Sequence, residues 1–432
     1  MKKWLVLLVV VCLLVTGMAL SLSGSAAPKK VQLRWYLRWD NARLNNVAQP
    51  IKEEYEKLNP NVEIIIENIS NSNEYHMKLQ TMLAANAAPD VIYPATHQAY
   101  VLAANKQIID LMPFVKKDKI DLNVYIPEVL ELYKYNKTML YGLPIDTAAF
   151  VIFYNKDMFD AAGVPYPTDD MNWEDFIELG KKLVKDTDGD GKIDQWAFHF
   201  DTNTVWQVIL YQMTGELLFD DLYNPKKFLL TNKNQIEALQ FCADLIHKHK
   251  LTISPAQRGN IGDMFMSGQA AMNIIGHWRV PTYNASVKFN WDVAALPQAG
   301  KVRANRGDGS CFSITKSSKN PQAAWEFVKF LAGPNAPGVR KLLALGQMVP
   351  SQEALTKDEL YLKTPGQRLI NKPAFLVGRE NMMTVYQPFT TWYSEAETAM
   401  RAAFVPLWEG QATAEQVVKA LAPQIEALMA GN

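Results

Sequence analysis

Four aspartates in one short segment have the spacing of a calcium-binding loop. The segment covers residues 186–194 and places carboxylates at its positions one, three, five and nine, which are Asp186, Asp188, Asp190 and Asp194. Gly191 is at position six, and Lys192 at position seven offers its backbone carbonyl, but Ala197 replaces the usual bidentate glutamate at position twelve. We expect a structural Ca²⁺ at Asp186, Asp188, Asp190, Lys192 and Asp194, with an ion-free acidic turn as the alternative. We expect no cofactor that the protein's activity requires.

Motifs for catalysis are scarce. The chain has no His-Glu-x-x-His, no Gly-x-Ser-x-Gly and no phosphate-binding Gly-x-x-x-x-Gly-Lys. His247 and His249 are two residues apart in a helical pattern, so they point to different sides of the helix, which is poor for shared metal ligation. The sequence therefore predicts a protein that is not an enzyme.

Bulk composition and the N-terminus limit the partners and the compartment. The 432 residues carry 44 basic and 44 acidic side chains, which argues against nucleic acid as a partner. Residues 1–26 have the basic and apolar regions of a cleaved signal peptide, with an uncleaved anchor as the alternative. Cys12 follows Val11 inside the apolar region, so we expect no lipoprotein. Cys242 and Cys311 remain, and we expect free thiols, with a disulfide between them as the alternative.

The elements that must position a site alternate between strands and helices. Strands are predicted at 31–39, 62–69 and 89–93, separated by amphipathic helices at 47–58 and 75–87, which indicates a mostly parallel sheet. Ligands of such sheets bind beyond the carboxyl ends of the strands. Trp39 and Asp40 follow the first of these strands, and His97 follows the third.

A longer motif carries a family resemblance. It comprises Gly142-Leu143-Pro144, the segment Tyr154-Asn155-Lys156-Asp157-Met158-Phe159, Gly163, Pro167-Thr168 and Trp173-Glu174-Asp175-Phe176. Phe265–Met272 and Gly276-His277-Trp278 extend it. These residues resemble the carbohydrate-binding extracellular solute-binding proteins of ABC importers, which include maltose-binding proteins. Four inserted residues between Thr168 and Trp173 depart from the family pattern.

The resemblance implies a two-lobed α/β fold with mostly parallel sheets, flanking helices and a hinge between the lobes. The N-terminal lobe would comprise residues 27–143 and 298–344, and the C-terminal lobe residues 149–292 and 350–432. The chain would cross between them near residues 144–148, 293–297 and 345–349.

The resemblance also implies a ligand site between the lobes. Flat indole rings pack on the apolar faces of sugars, and family positions assign this role to Trp278, which follows Gly276, and to Trp392. Trp206 is expected to form a wall of the C-terminal lobe. The other expected ligand contacts, which are strand-end and crossing residues, are Trp39, Asp40, His97, Asp146, Thr147 and Asp308.

Together these features predict a secreted, periplasmic or extracellular monomer. It would bind a carbohydrate and deliver it to the transmembrane permease subunits of an ABC importer. Two alternatives remain open, which are a binding protein for a non-sugar solute such as a polyamine or peptide, and a secreted glycoside hydrolase.

Overall fold

The computed structural model describes residues 30–346, 348–364, 366, 368–381 and 388–431. Its strands are β1 (Val31–Leu37), β2 (Val62–Asn68), β3 (Val91–Ile92), β4 (Lys134–Tyr135), β5 (Met139–Leu140), β6 (Leu143–Pro144), β7 (Asp146–Thr147), β8 (Phe150–Asn155), β9 (Trp196–His199), β10 (Ala270–Gly276), β11 (Trp291–Ala295), β12 (Cys311–Ile314) and β13 (Val349–Pro350). The predicted signal peptide lies outside the described residues.

The helices connect and cover these strands. They are α1 (Asn41–Arg43), α2 (Gln49–Leu58), α3 (Ser72–Ala84), α4 (Thr96–Ala104), α5 (Met112–Asp118), α6 (Pro127–Glu131), α7 (Lys156–Ala162), α8 (Trp173–Lys181), α9 (Val205–Thr214), α10 (Lys233–His247), α11 (Pro255–Arg258), α12 (Val280–Ser286), α13 (Pro321–Ala332), α14 (Pro337–Ala344), α15 (Glu359–Leu362), α16 (Tyr393–Ala403), α17 (Val405–Trp408) and α18 (Ala414–Ala430). A π-helical segment, Leu44–Ala48, joins α1 to α2. Short 3₁₀ turns complete the described part, and none of the described helices is long and apolar enough to cross a membrane.

The first sheet has the strand order β2-β1-β3-β12-β6. β1 pairs in parallel with β2 and β3, as the alternation of strands and helices predicts. β12 runs antiparallel to both β3 and β6. Four of the five strands of this sheet therefore come from residues 31–144, and the interior strand β12 comes from much later in the chain.

The second sheet has the order β11-β8-β10-β9. β8 is antiparallel to β10 and to β11, and only β9 and β10 are parallel. The prediction of mostly parallel sheets is therefore wrong for this sheet. The reason is that β8 brings the chain away from the first sheet and β11 takes it back, so the two neighbours must run in opposite directions.

β8 carries no charged side chain because it is buried on both faces. Phe150 and Ile152 pack into one apolar cluster, while Val151 and Phe153 pack into another on the opposite face. A strand covered on both sides has no position for a polar side chain until its end. There, Asn155 accepts a hydrogen bond from the backbone N–H of Met158 and begins α7.

The core is divided between the two sheets. One cluster surrounds the first sheet and draws on residues 33–145 and 311–361 together with Phe389. A second cluster packs around the other sheet with residues 150–296 and 392–425. Leu355 and Tyr361, which the predicted division assigns to the C-terminal lobe, pack in the first cluster because the chain after β13 folds back along α14. The exact lobe boundaries stay a prediction.

Three segments run between the two core regions. β7 leads into β8, β11 leads towards β12, and β13 pairs with β7 in an antiparallel two-stranded sheet. Asn305 ties two of these segments together, since its side chain exchanges hydrogen bonds of 2.8 and 2.9 Å with the backbone of Phe150. The predicted crossings near residues 144–148, 293–297 and 345–349 lie in or beside these segments.

Cys242 and Cys311 are both free and buried, as expected. They belong to different core clusters, so no disulfide can join them. Burial raises the pKa of the Cys311 thiol to about 12, which keeps it protonated and unreactive.

Candidate functional site

A polar cavity of about 380 Å³ lies where the carboxyl ends of the first sheet meet the second sheet. Its size is within the range of pockets that bind small molecules. The residues that line it are Arg38, Arg43, Ser70, Ser72, Tyr93, Ala95, His97, Gln98, Asp146, Ala148, His277, Trp278, Arg306, Asp308, Gly309 and Ser310.

The cavity forms where the topology predicts it. Arg38 follows β1, Ser70 follows β2, and Ala95 and His97 follow β3. The loop before β12 closes onto this edge, because Gly309 and Thr96 exchange hydrogen bonds of 3.1 and 3.2 Å. A side chain at Gly309 would place its Cβ 2.5 Å from the Asp146 carbonyl oxygen, so this close approach requires glycine.

Asp146 connects the two halves of the cavity. One carboxylate oxygen accepts a 2.8 Å hydrogen bond from the backbone N–H of Ser310, which leads into the first sheet. The other oxygen lies 3.8 Å from Nε2 of His277, which follows β10 of the second sheet. Nδ1 of His277 is buried, and it has no hydrogen-bond partner among the described residues.

Trp278 provides the aromatic face of the cavity. Its indole lies directly over Gly276, where a Cβ would come within 2.0 Å of the ring. The ring also contacts Phe150 edge to face, with 5.9 Å between centroids. The Arg306 guanidinium lies 5.7 Å from the Trp278 centroid and 5.2 Å from that of Phe150. Gly276 thus acts through Trp278, by allowing the ring to lie flat against the backbone.

The charged groups of the cavity are held in fixed positions. Arg306 forms a two-pronged ion pair with Asp308, with 2.8 Å between Nε and Oδ1. Arg38 donates to Ser310 Oγ at 2.9 Å and to the Tyr93 carbonyl at 3.3 Å, and its guanidinium lies 5.0 Å from the Tyr93 ring centroid. Such pre-positioned donors lose little conformational entropy when a ligand binds.

Two histidines near these arginines are held neutral. Burial lowers the pKa of His97 below its usual value, and the positive charges of Arg306 and Arg38 lower it further, against the opposing effect of Glu397 and Asp308. Burial also lowers the pKa of His76 to about 3, with smaller contributions from Arg38 and His97. Nδ1 of His97 and Nε2 of His76 are buried, and neither has a hydrogen-bond partner in the part of the chain that the structure describes.

The structure brings together four of the predicted ligand residues, namely His97, Asp146, Trp278 and Asp308. Asp40 and Thr147 lie beside them without lining the cavity. Asp40 caps α1 and pairs with Arg43 at 3.1 Å, and the Thr147 hydroxyl donates to the Asp308 carbonyl at 3.3 Å.

Three predicted tryptophans pack in the core instead. Trp39 is fully buried against Trp35, Tyr93 and Phe312. Trp206 packs on Phe404, and Trp392, only 6% exposed, packs on Phe219. We therefore remove these three from the candidate site, because their rings are already covered by other apolar side chains.

Sequence reasoning missed the basic side of the cavity. Arg38, Arg43 and Arg306 line it, and none was predicted. The sequence contained an indication for two of these arginines. Arg38 lies near the end of the first predicted strand, and Arg306 lies two residues before the predicted ligand residue Asp308. His277 is part of the Gly276-His277-Trp278 motif, but the family resemblance assigns the ligand contact to the tryptophan.

The acidic loop converges as a cation site requires. Carboxylate oxygens of Asp186, Asp188 and Asp194 lie within 4.8 Å of one another, and all three side chains are exposed. Asp190 is not part of this group, since its carboxylate accepts from the Lys192 backbone and lies 3.6 Å from the Lys192 ammonium. Oxygen ligands suit Ca²⁺, but Asp186 already accepts from the backbone N–H groups of Gly189 and Gly191, and Asp194 accepts from Thr187. Calcium binding at this loop therefore stays a prediction.

Comparisons with known proteins agree with this architecture. A family model described as bacterial extracellular solute-binding protein matches residues 41–336. An ABC substrate-binding protein of Listeria monocytogenes, solved in complex with cycloalternan, superposes with a TM-score of 0.81 at 24% identity, covering 93% of this chain and 99% of that one. This likeness confirms the predicted two-lobed α/β fold.

Two relatives are similar in sequence over shorter stretches. The arabinooligosaccharide-binding protein of Halalkalibacterium halodurans is 33% identical over 111 residues, or 26% of this chain and 23% of that protein. The galactooligosaccharide-binding protein of Bacillus subtilis is 26% identical over 247 residues, or 54% of each chain. The match thus spans about a quarter and about half of the length of these relatives.

Proposed function

The chain belongs to the family of bacterial extracellular solute-binding proteins, and on this basis we propose that it captures a sugar or oligosaccharide and delivers it to the permease of an ABC importer. The observation that carries the proposal is Trp278, a half-buried indole held flat over Gly276 beside a polar cavity. A sugar needs this combination, because its ring has an apolar face and a rim of hydroxyls.

The polar lining supports the same proposal. Ser70, Ser72 and Gln98 offer neutral hydrogen-bonding groups, and His97 and His277 also line the cavity. Hydroxyls both donate and accept, so a sugar can satisfy such a mixed set. The two relatives described above are an arabinooligosaccharide-binding and a galactooligosaccharide-binding protein, which supports the same class of solute.

A binding protein for a non-sugar solute remains the second candidate, and a glycoside hydrolase the third. The hydrolase would need two carboxylates free to act as acid and base. Asp308 is engaged by Arg306, and Asp146 by the Ser310 backbone, which favours binding over catalysis. We further propose that the protein acts as a monomer outside the cytoplasm after removal of a leader ending near residue 26, without a lipid anchor, and that residues 186–194 hold a structural Ca²⁺.

A thermal-shift screen against mono- and oligosaccharides tests the proposal, because a ligand that binds only the folded state raises the melting temperature. Calorimetry on each compound that raises it should give one-to-one saturable binding, and chromatography should recover the sugar intact. Released shorter sugars would instead support the hydrolase. A response only to amino acids, peptides or polyamines would contradict sugar binding.

A further inference from the structure

Among the residues that line the cavity, positively charged side chains outnumber negatively charged ones. Three arginines and two aspartates line it, which are Arg38, Arg43, Arg306, Asp146 and Asp308. The lowered pKa of His97 makes that residue a neutral member of the lining. The lining side chains therefore carry one more positive than negative charge, and Asp40, which pairs with Arg43 beside the cavity, offsets this difference.

Most of these charged side chains are paired with another group of the protein. Arg306 is bound to Asp308, Arg43 to Asp40, and Asp146 accepts from the Ser310 backbone beside His277. Arg38 differs, because both of its recorded hydrogen bonds go to uncharged oxygens. Among the described residues, the structure records no carboxylate within 4.0 Å of its guanidinium. Arg38 is thus a partly buried cation whose charge is balanced by no ion pair in that part of the chain.

The position of Arg38 suits it to an anion. Nε and Nη2 are anchored to the Tyr93 carbonyl and Ser310 Oγ, and the guanidinium lies over the Tyr93 ring. These contacts fix the plane of the group, and Nη1 forms no hydrogen bond with any residue that the structure describes. A fixed guanidinium matches the oxygens of a carboxylate or phosphate, and charge-assisted hydrogen bonds are stronger than those to neutral hydroxyls.

We propose that the solute is an anionic saccharide, and that Arg38 binds its carboxylate or phosphate group. This inference rests on the proposed function and narrows it. It assigns the acidic group of the sugar to the first-sheet side of the cavity, at Arg38, and a sugar face to Trp278. It also disfavours a polyamine, whose positive charges would be placed beside unpaired Arg38.

Matched neutral and acidic sugars test the proposal. The probes are glucose and galactose, their uronates and their 6-phosphates, together with digalacturonate and a neutral galactobiose. Affinity is measured by calorimetry in a buffer free of phosphate and sulfate, which would compete. We expect at least one acidic member to bind about tenfold or more tightly than its neutral counterpart. The uronates and 6-phosphates show which acidic group Arg38 prefers.

Variants separate the role of Arg38 from a general charge effect. Arg38→Met should lose the preference for the acidic sugar while retaining binding of the neutral one, and Arg38→Lys should restore part of the preference. Arg34→Met is the matched control, because Arg34 lies on β1 four residues before Arg38 and pairs with Glu67 away from the cavity. It should change neither affinity. Melting temperatures verify that each variant is folded.

The failures of the two proposals are distinguishable. Equal or tighter binding of the neutral sugars overturns the anionic inference and leaves sugar binding in place. Binding of acetate or inorganic phosphate without any saccharide contradicts sugar binding but supports an anion site at Arg38. If none of the probes binds, both proposals are contradicted for this range of ligands.

Discussion

At the scale of single residues, Trp278 is the side chain on which sugar binding depends most directly. Trp278→Ala should weaken binding of the cognate sugar by roughly 1–3 kcal/mol, because it removes the flat apolar face over Gly276. Stability should fall less, since this indole is already half-exposed. Calorimetry of wild type and variant checks the affinity, and indole fluorescence should change when the sugar covers the ring.

Trp392 supplies the contrasting variant. Because its ring packs on Phe219 inside the core, Trp392→Phe should lower the melting temperature and leave sugar affinity nearly unchanged. The opposite pattern, with Trp392→Phe weakening binding and Trp278→Ala leaving it intact, would restore the original expectation from family position and contradict the present assignment.

His76 leads to a prediction about pH. Its pKa is about 3 in the fold against an ordinary value of 6.5, so below pH 6.5 the unfolded chain binds a proton that the folded chain excludes. The contribution of His76 to stability is therefore complete above about pH 6.5 and is lost as the pH falls towards 3. His76→Gln should flatten the decline of melting temperature between pH 7 and 4.5, and an unchanged slope would contradict the prediction.

At the scale of elements, the acidic loop after α8 is a separable unit. If Asp186, Asp188 and Asp194 hold Ca²⁺, a chelator should lower the melting temperature, and added Ca²⁺ should restore it. Asp188→Asn should abolish this response. Glu178→Gln, an equal change of charge on exposed α8, should preserve it, and sugar affinity should stay the same in all cases because the loop does not line the cavity.

The elements themselves are largely predictable from sequence. The first three strands and the two helices between them lie within a few residues of the positions that apolar periodicity predicts. Caps act locally: Asn172 and Asp175 exchange hydrogen bonds at the start of α8. The antiparallel direction of β8 was not predictable in this way, because it depends on how distant segments pair.

The direction of side chains at strand ends is harder to predict. Trp39 and Arg38 are adjacent at the end of β1, yet the tryptophan turns into the core and the arginine lines the cavity. The deciding contacts come from Phe312 and Ser310, more than 270 residues away. The local sequence pattern does not indicate these distant neighbours. It therefore predicted Trp39 as a ligand contact and did not predict Arg38.

At the scale of the whole molecule, we expect the two lobes to close on the ligand. Binding proteins of this architecture close by hinge motion, and here the segments around β7, β11 and β13 would absorb the change. Small-angle scattering should show a smaller radius of gyration with the cognate sugar. The wild-type protein with a non-binding sugar is the control, and an unchanged radius at saturation would contradict closure.

The placement of β12 also has a consequence for how this chain folds. β12 lies between β3 and β6, so the first sheet has a gap until residues 311–314 have been synthesised. The strands of the second sheet, by contrast, come from one continuous stretch, 150–295. Pairing over such sequence separations is slow, because the loop must close before contacts form. A nascent chain that ends before β12 lacks the strand between β3 and β6. Residues 30–144 of such a chain should therefore stay protease-sensitive even after prolonged incubation.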